Sequence, residues 1–242
     1  MSGFLGSGNV LFNQLVSGVY QGFIDLGNCT EFALTEVGDQ KTRESRQRDT
    51  AGQSLSTVTR KKPGEFSITW DEQGNPENVA LSTHGTLADL SQSASATNSS
   101  TPTLVLNKWV EIEPGVRNVS NVTIATKSEG TDFQVNARLG LIMAIDAGTA
   151  GSQTVGYDQG IRSGNSIIGS TTPTIRGAFI LDGLNADGEL PIVVDVWDAV
   201  IQSASSFDPL SDNFATGQMK GFMNTPAGKS GPYHIEMNIV DG

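Results

Sequence analysis

Residues 65–71 alternate without a break: Phe66, Ile68 and Trp70 hold one parity, while Glu65, Ser67, Thr69 and Asp71 hold the other. Successive side chains of a strand point to opposite faces, so this pattern fits a strand with one buried face and no helix. The same period returns near the end, where Tyr233, Ile235, Met237 and Ile239 alternate with His234, Glu236 and Asn238. Strands of this kind are short and need many turns, which 28 glycines supply. At 242 residues the chain has room for one large β domain or two small ones.

The rest of the chain follows that reading. Strands are expected at 9–16 and 19–27, as a hairpin about Ser17-Gly18, then at 31–37, 54–60 and 65–71. Tyr20, Ile24 and Leu26 would share a face. Further strands are expected at 104–113, 119–126, 132–146, 174–183, 190–202, 213–224 and 232–240, with a turn through Asn185-Ala186-Asp187-Gly188. In 132–146, Leu139, Leu141, Met143 and Ile145 would share a face. Asn75 as N-cap, Pro76 at the first helical position and Glu77 at the positive end of the dipole predict a helix over 76–83. Residues 86–91 read as a further helical turn. The Ser/Thr/Asn/Ala tract 91–103 and the Gly/Ser/Thr-rich stretch 147–173 read as surface excursions. With no internal repeat and no sharp linker, the expectation is a single domain over 1–242. It would be mainly β, an antiparallel sandwich or barrel-like fold with one or two short helices and long loops.

Charge lies unevenly on this frame. Between Gly38 and Lys62 fall Lys41, Arg43, Arg46, Arg48, Arg60, Lys61 and Lys62, seven of the fifteen basic residues, opposed by Asp39, Glu44 and Asp49. That stretch carries +4 and the remainder −15, for a net charge of −11. From Gly38 to Gln53 almost nothing is apolar, which predicts an extended, mobile loop. A basic arm on an acidic body attracts further copies of the chain. The overall acidity argues against general nucleic-acid binding, and the basic segment lacks the interleaved aromatics that stack on bases.

Residue patterns that carry chemistry are missing. Gly228-Lys229-Ser230 resembles the end of a phosphate loop, but the required glycine is Met223. Asn185 to Gly188 echoes a calcium loop whose first and twelfth positions are Gly183 and Val194, neither a ligand. His84, His234 and the single Cys29 have no zinc spacing; His84 is expected to close the helix, His234 to face outward and Cys29 to fill core beside Phe32. Gly164 to Gly169 is one residue too long for a nucleophile elbow. Asp195 and Asp198, on one strand, would face opposite sides and so form no acid–base pair. No catalytic, cofactor-binding or metal residue is expected, and no enzyme activity. The first residues lack the basic and apolar regions of a signal peptide, and no apolar run reaches the ~20 residues that span a bilayer.

The order of elements resembles the major tail tube proteins of long, non-contractile-tailed bacteriophages, the siphophage tail tube family. The carrying residues are Gly8-Asn9-Val10-Leu11-Phe12 to Gly18-Val19-Tyr20, Leu26-Gly27-Asn28, Glu31-Phe32-Ala33-Leu34, the Arg-rich segment 41–48 and Pro76-Glu77-Asn78-Val79-Ala80-Leu81. Strand 174–183, the hairpin through Gly188 to Pro191, and Ala215 to Lys220-Gly221 fit the same layout. The resemblance implies a structural virion protein, made in the host cytoplasm, that polymerises as stacked hexameric rings into the tail tube and forms the conduit for DNA ejection. Its partners would be further copies of itself and the initiator, terminator and tape-measure proteins, with DNA passing through the lumen without specific binding and no membrane contact. The segment 38–62, with Lys41, Arg43, Arg46, Arg48, Arg60, Lys61 and Lys62, would be the inter-ring contact. The alternative is a soluble β-sandwich binding module that recognises carbohydrate or protein through 91–103 and 147–173. Such a module would expose loop aromatics, and Tyr157 is the candidate there.

Overall fold

The structure, a computed structural model, describes residues 6–187, 190–203, 207–210, 212–237 and 239. Gly188 of the expected turn and Asn238 of the last alternation lie outside them. The chain forms two compact units, Met1–Leu87 with Ile167–Gly242, and Ala88–Ser166. In chain order the elements are β1 (Gly6–Val16), β2 (Val19–Asp25), β3 (Cys29–Thr35), β4 (Gly38–Glu44), β5 (Ser54–Lys61), β6 (Gly64–Trp70), α1 (Pro76–Ser82) and β7 (Thr86–Gln92). Next come β8 (Ser95–Ser100), β9 (Thr103–Leu104), β10 (Trp109–Glu111), β11 (Val119–Ile124), β12 (Phe133–Asn136), β13 (Leu141–Ala144), β14 (Gly151–Ser152), β15 (Val155–Gln159) and β16 (Arg162–Ile168). The chain ends with β17 (Ile175–Asn185), β18 (Leu190–Ser203), β19 (Gly217–Met223) and β20 (Tyr233–Met237). Among the described residues the fold is mainly β and antiparallel, as the alternation implied, with one α-helix.

The first unit is built on one eight-stranded sheet in the order β2-β1-β17-β18-β19-β6-β3, with β20 also paired to β18. Its inward parity buries Val10 and Phe12, Phe66, Ile68 and Trp70, Phe179, Val196, Ile201, Met219 and Met223. Phe179 meets Phe12 at 4.8 Å and Phe66 at 5.3 Å between ring centroids. Phe66 and Phe179 stand three strands apart, roughly 14 Å on a flat sheet. Their contact therefore requires the sheet to curl around its core. The Leu26 amide, donating to the Val10 carbonyl at 3.0 Å, extends the β1–β2 pairing one residue past β2.

Strand β18 changes neighbour along its length, pairing with β20 over Ile192–Val196 and with β19 over Ala199–Ser203. At the change the register against β17 shifts, so Gly177 faces Ala199 while Phe179 faces Val196. This bulge accommodates Trp197 and Asp198 and moves the buried parity from Val194 and Val196 to Ala199 and Ile201. It also overturns the expectation for Asp195 and Asp198. Both lie on the outer face, because the extra residue resets the alternation. Asp198 is held there by the Arg176 guanidinium at 2.7 Å and the Asn224 amide at 3.1 Å.

Helix α1 begins as its cap residues dictate. The Asn75 side chain accepts from the Glu77 amide at 3.0 Å, Pro76 opens the helix, and the Gly85 amide donates to Ala80 O at 2.7 Å beyond its end. The expected extra turn at 86–91 is instead strand β7, paired with β16. His84 takes a φ of 49° and turns the chain out of the helix, so no helical ladder continues.

The unit Ala88–Ser166 has a core of its own, with Leu104, Ile112, Val119, Ile124, Phe133, Ile142, Ala144, Val155 and Tyr157. Two tracts read as excursions are largely strand here. Ser95–Ser100 pairs with β15, which also pairs with β11, and 147–173 contains β14, β15, β16 and a short 3-10 turn. A hydroxyl-rich strand needs only backbone partners and one apolar neighbour strand, and β15 brings Val155 and Tyr157. The expected strand 132–146 is a hairpin of β12 and β13. Asn136 accepts from the Leu139 amide, and Gly140 at φ 64° completes the reversal. After it the buried residues are Ile142 and Ala144, the opposite parity to Leu141 and Met143.

Close packing of β1 on β17 sets a sharp limit at Gly177, where a methyl group would overlap the Asn13 carbonyl and the Phe12 ring. Gly177→Ala is expected to lower stability by about 1–3 kcal/mol in a urea unfolding experiment, since β1 must shift to admit it.

Candidate assembly surfaces

The basic segment is ordered rather than a mobile loop. β4 and β5 form a two-stranded antiparallel ribbon from Gly38↔Lys61 to Glu44↔Ser54. A ladder satisfies its own backbone without a core, β-branched Thr42, Thr57, Val58 and Thr59 suit it, and the Lys62 amide anchors its base to Val37 O at 3.0 Å. The tip closes on buried Ser45. Its hydroxyl meets the Thr50 hydroxyl at 2.7 Å, its amide donates to Gln53 O at 2.8 Å, and its carbonyl accepts from Gly52 at 3.0 Å.

The register sorts the basic residues. Asp39/Arg60, Lys41/Val58 and Arg43/Ser56 are directly opposed pairs on one face, whereas Gln40/Thr59 and Thr42/Thr57 occupy the other with Lys61. The expected contact residues thus divide: Lys41, Arg43 and Arg60 share a face, Lys61 is opposite, Arg46 and Arg48 sit at the tip, and Lys62 lies at the base. Among the described residues only Lys62 of these seven reaches a carboxylate, Asp39, at 4.0 Å. An exposed pair at that distance contributes little, so the ribbon's charge is left unneutralised. Leu55, the bulge residue, and Val58 are also exposed. Their apolar character is visible in the sequence, but only pairing places Val58 between Lys41 and Arg60 on a solvated face.

Charge of the opposite sign is concentrated on the same unit. Outside 38–62 it has sixteen acidic against three basic residues, while Ala88–Ser166 has seven against five. Part of that acidity lies on the outer face of the eight-stranded sheet, where Glu31, Glu65, Asp182, Asp195 and Glu236 stand against Arg176 and Lys220. Among the described residues three strands of this sheet are paired on one side only: β2 and β3 at its ends, and β20 beside β18. β2 presents Val19, Tyr20 and Phe23 to solvent. Such edges are templates for pairing with another chain.

Sites for chemistry are sparse. Among the described residues, no three His, Cys, Asp or Glu side chains come together in a way that could hold a metal ion. Cys29 packs half-buried against the core near Phe32; burial, then the carboxylates of Asp25 and Asp71, push its thiol up to about 11, which leaves it protonated and unreactive at neutral pH. His84 is buried at the helix end with Nδ1 donating to Thr172 O at 3.0 Å, and His234 is exposed on the outer face as expected. A cleft of about 530 Å³ between β1, β2 and α1 has an apolar floor of Phe12, Ile24, Leu81 and Ile175 and one carboxylate, Glu77. No acid–base pair converges in it. No helix of the described residues is long and apolar enough to cross a membrane.

Ser45→Ala removes the hydroxyl bond at the ribbon tip. Trypsin cleavage after Arg46 and Arg48 is expected to accelerate by about tenfold, the effect of roughly 1.4 kcal/mol on local opening. An unchanged cleavage rate would mean that the tip is open without the mutation.

A search of curated proteins found no match. Residues 3–230, most of the chain, match one family, and the protein belongs to it: the family described as Protein of unknown function UCP028589.

Proposed function

We propose that this protein is a structural subunit of a phage tail tube, polymerising as stacked hexameric rings that form a conduit for DNA ejection. The observation that carries the reading is a curled antiparallel sheet whose end strands β2 and β3 are open among the described residues, on the same unit as an exposed, unneutralised basic ribbon. Different edges on opposite sides of a subunit favour a heterologous contact, which closes into rings when the rotation per copy is right. The ribbon then supplies attraction along the stack, between its own charge and the acidic remainder of the next copy. An acidic sheet face suits a lumen wall, since phosphate is repelled and slides rather than binding. The subunit would act in the virion with copies of itself and with initiator, terminator and tape-measure proteins, and it needs no catalytic site or cofactor.

Negative-stain electron microscopy of the purified protein across salt and concentration tests this. Rings or hollow tubes of uniform width are expected, and dispersed particles at every condition would overturn the reading. Changing Arg43, Arg46 and Arg48 together to Glu should leave a folded subunit that no longer stacks at low salt.

One observation favours a second reading, a binding module for carbohydrate. Tyr157, the aromatic expected to be exposed, is 5% accessible and buried in the core of Ala88–Ser166, whereas Trp109 of that unit is 46% exposed. Trp109 sits directly opposite Met143, which in turn faces Gln134, in a row on the sheet β10-β13-β12. That arrangement offers a ring surface beside an amide. Under this reading a glycan array gives hits that Trp109→Ala abolishes while the tube assay is blank; no hits removes it.

A further inference from the structure

Three large apolar side chains stand uncovered between β18 and β19: Phe207, Leu210 and Phe214, of which Leu210 is 90% and Phe214 91% exposed. Single exposed apolar residues are ordinary, but here three fall within eight residues of one connection. The described residues leave Leu210 and Phe214 almost wholly exposed and Phe207 half exposed. Asp208 and Asp212 are interspersed, and no Lys or Arg falls between Ser203 and Lys220. Asp208 Oδ1 accepts from the Leu210 amide at 3.0 Å and so shapes the turn that presents Leu210. The connection is therefore apolar and acidic.

Its complement lies on the β4–β5 ribbon. The ribbon face with Lys41, Arg43 and Arg60 carries exposed Val58, with Leu55 at the adjacent bulge, and among the described residues none of those three cations meets a carboxylate within an ion-pair distance. That face is apolar and, with Asp39 its one acidic residue opposite Arg60, net basic. We propose that the basic face of the β4–β5 ribbon in one copy docks on the Phe207–Phe214 connection of a second copy. Val58 and Leu55 cover Leu210 and Phe214, while Arg43 and Arg60 meet Asp208 and Asp212. Each copy carries both halves, and the halves differ, so the contact is head-to-tail and propagates from copy to copy. This inference rests on the tube reading, for which it names the acceptor of the ribbon.

Cysteine cross-linking tests it with the full-length chain. Val58→Cys and Leu210→Cys are made separately in a Cys29→Ala background. Both introduced positions are exposed, so neither change opens the core, and circular dichroism checks folding. The two variants are mixed under mild oxidation over a range of concentrations. The expected result is a mixed disulfide dimer about tenfold more abundant than the homodimers of either variant alone, and reduced in 1 M salt, where screening acts over roughly 3 Å. Adding Arg43→Glu with Arg60→Glu to the first variant should remove the cross-link. Adding Asp208→Arg with Asp212→Arg to the second should then restore it. Rings or tubes without the mixed cross-link would overturn this inference and leave the tube reading standing. Mixed cross-links without rings or tubes would do the reverse. Neither product at any concentration overturns both. A ribbon that instead retards duplex DNA, with the charge exchange failing to restore the cross-link, would make nucleic acid its partner and overturn this inference too.

Discussion

The contact of Phe179 with both Phe12 and Phe66 is what the rest of the first unit depends on. It joins β1, β17 and β6 across a sheet in which β18 and β19 intervene, and so curls the sheet onto one core. Burial of apolar side chains is non-directional, but three rings on three strands leave few arrangements that close without voids. Glycine at 177 lets the Phe12 ring lie flat on β17, and the bulge at Trp197 and Asp198 lets β18 follow the curvature while passing from one partner strand to another. With the inner parity committed to the core, the outer parity and the strands paired on one side remain exposed among the described residues.

Charge is partitioned with equal economy. The inserted unit Ala88–Ser166 is nearly balanced, whereas the first unit combines a ribbon of +4 with a remainder holding sixteen acidic against three basic residues. Among the described residues only Lys62 of the seven ribbon cations has an ion-pair partner, so within the chain this partition adds little stability. Between copies the same partition becomes attractive, and the exposed apolar residues on the ribbon and on the connection before β19 would add an attraction that does not fade with salt. The assembly proposal and its named contact both rest on these surfaces.

Local signals were the legible ones. Alternation at Phe66, Ile68 and Trp70 identified β6 and its inward face, Ser17-Gly18 marked the first hairpin, and Asn75-Pro76-Glu77 marked the start of α1. Each depends on residues within a few positions of one another. The seven basic residues were equally plain as a concentration of charge, but their division between two ribbon faces was not, because it depends on which residue of β5 faces Arg43. The exposure of Phe207, Leu210 and Phe214 was hidden for a related reason. Phe214 reads as the start of a strand until the pairing with β6 shows that the strand begins at Gly217.

By itself the sequence determined a mainly β chain with a capped helix beginning at Pro76 and a basic segment on an acidic body. These properties follow from periodicity, capping and composition, which are local or additive. Tertiary structure alone decided the separate core of Ala88–Ser166, the ordering of Ser- and Thr-rich tracts as strands, the reversed parity at Ile142 and Ala144, and the bulge that turns Asp198 outward. Each of these depends on a partner far away in the chain. In a period of two, one inserted residue or one turn exchanges the buried and exposed faces of everything that follows.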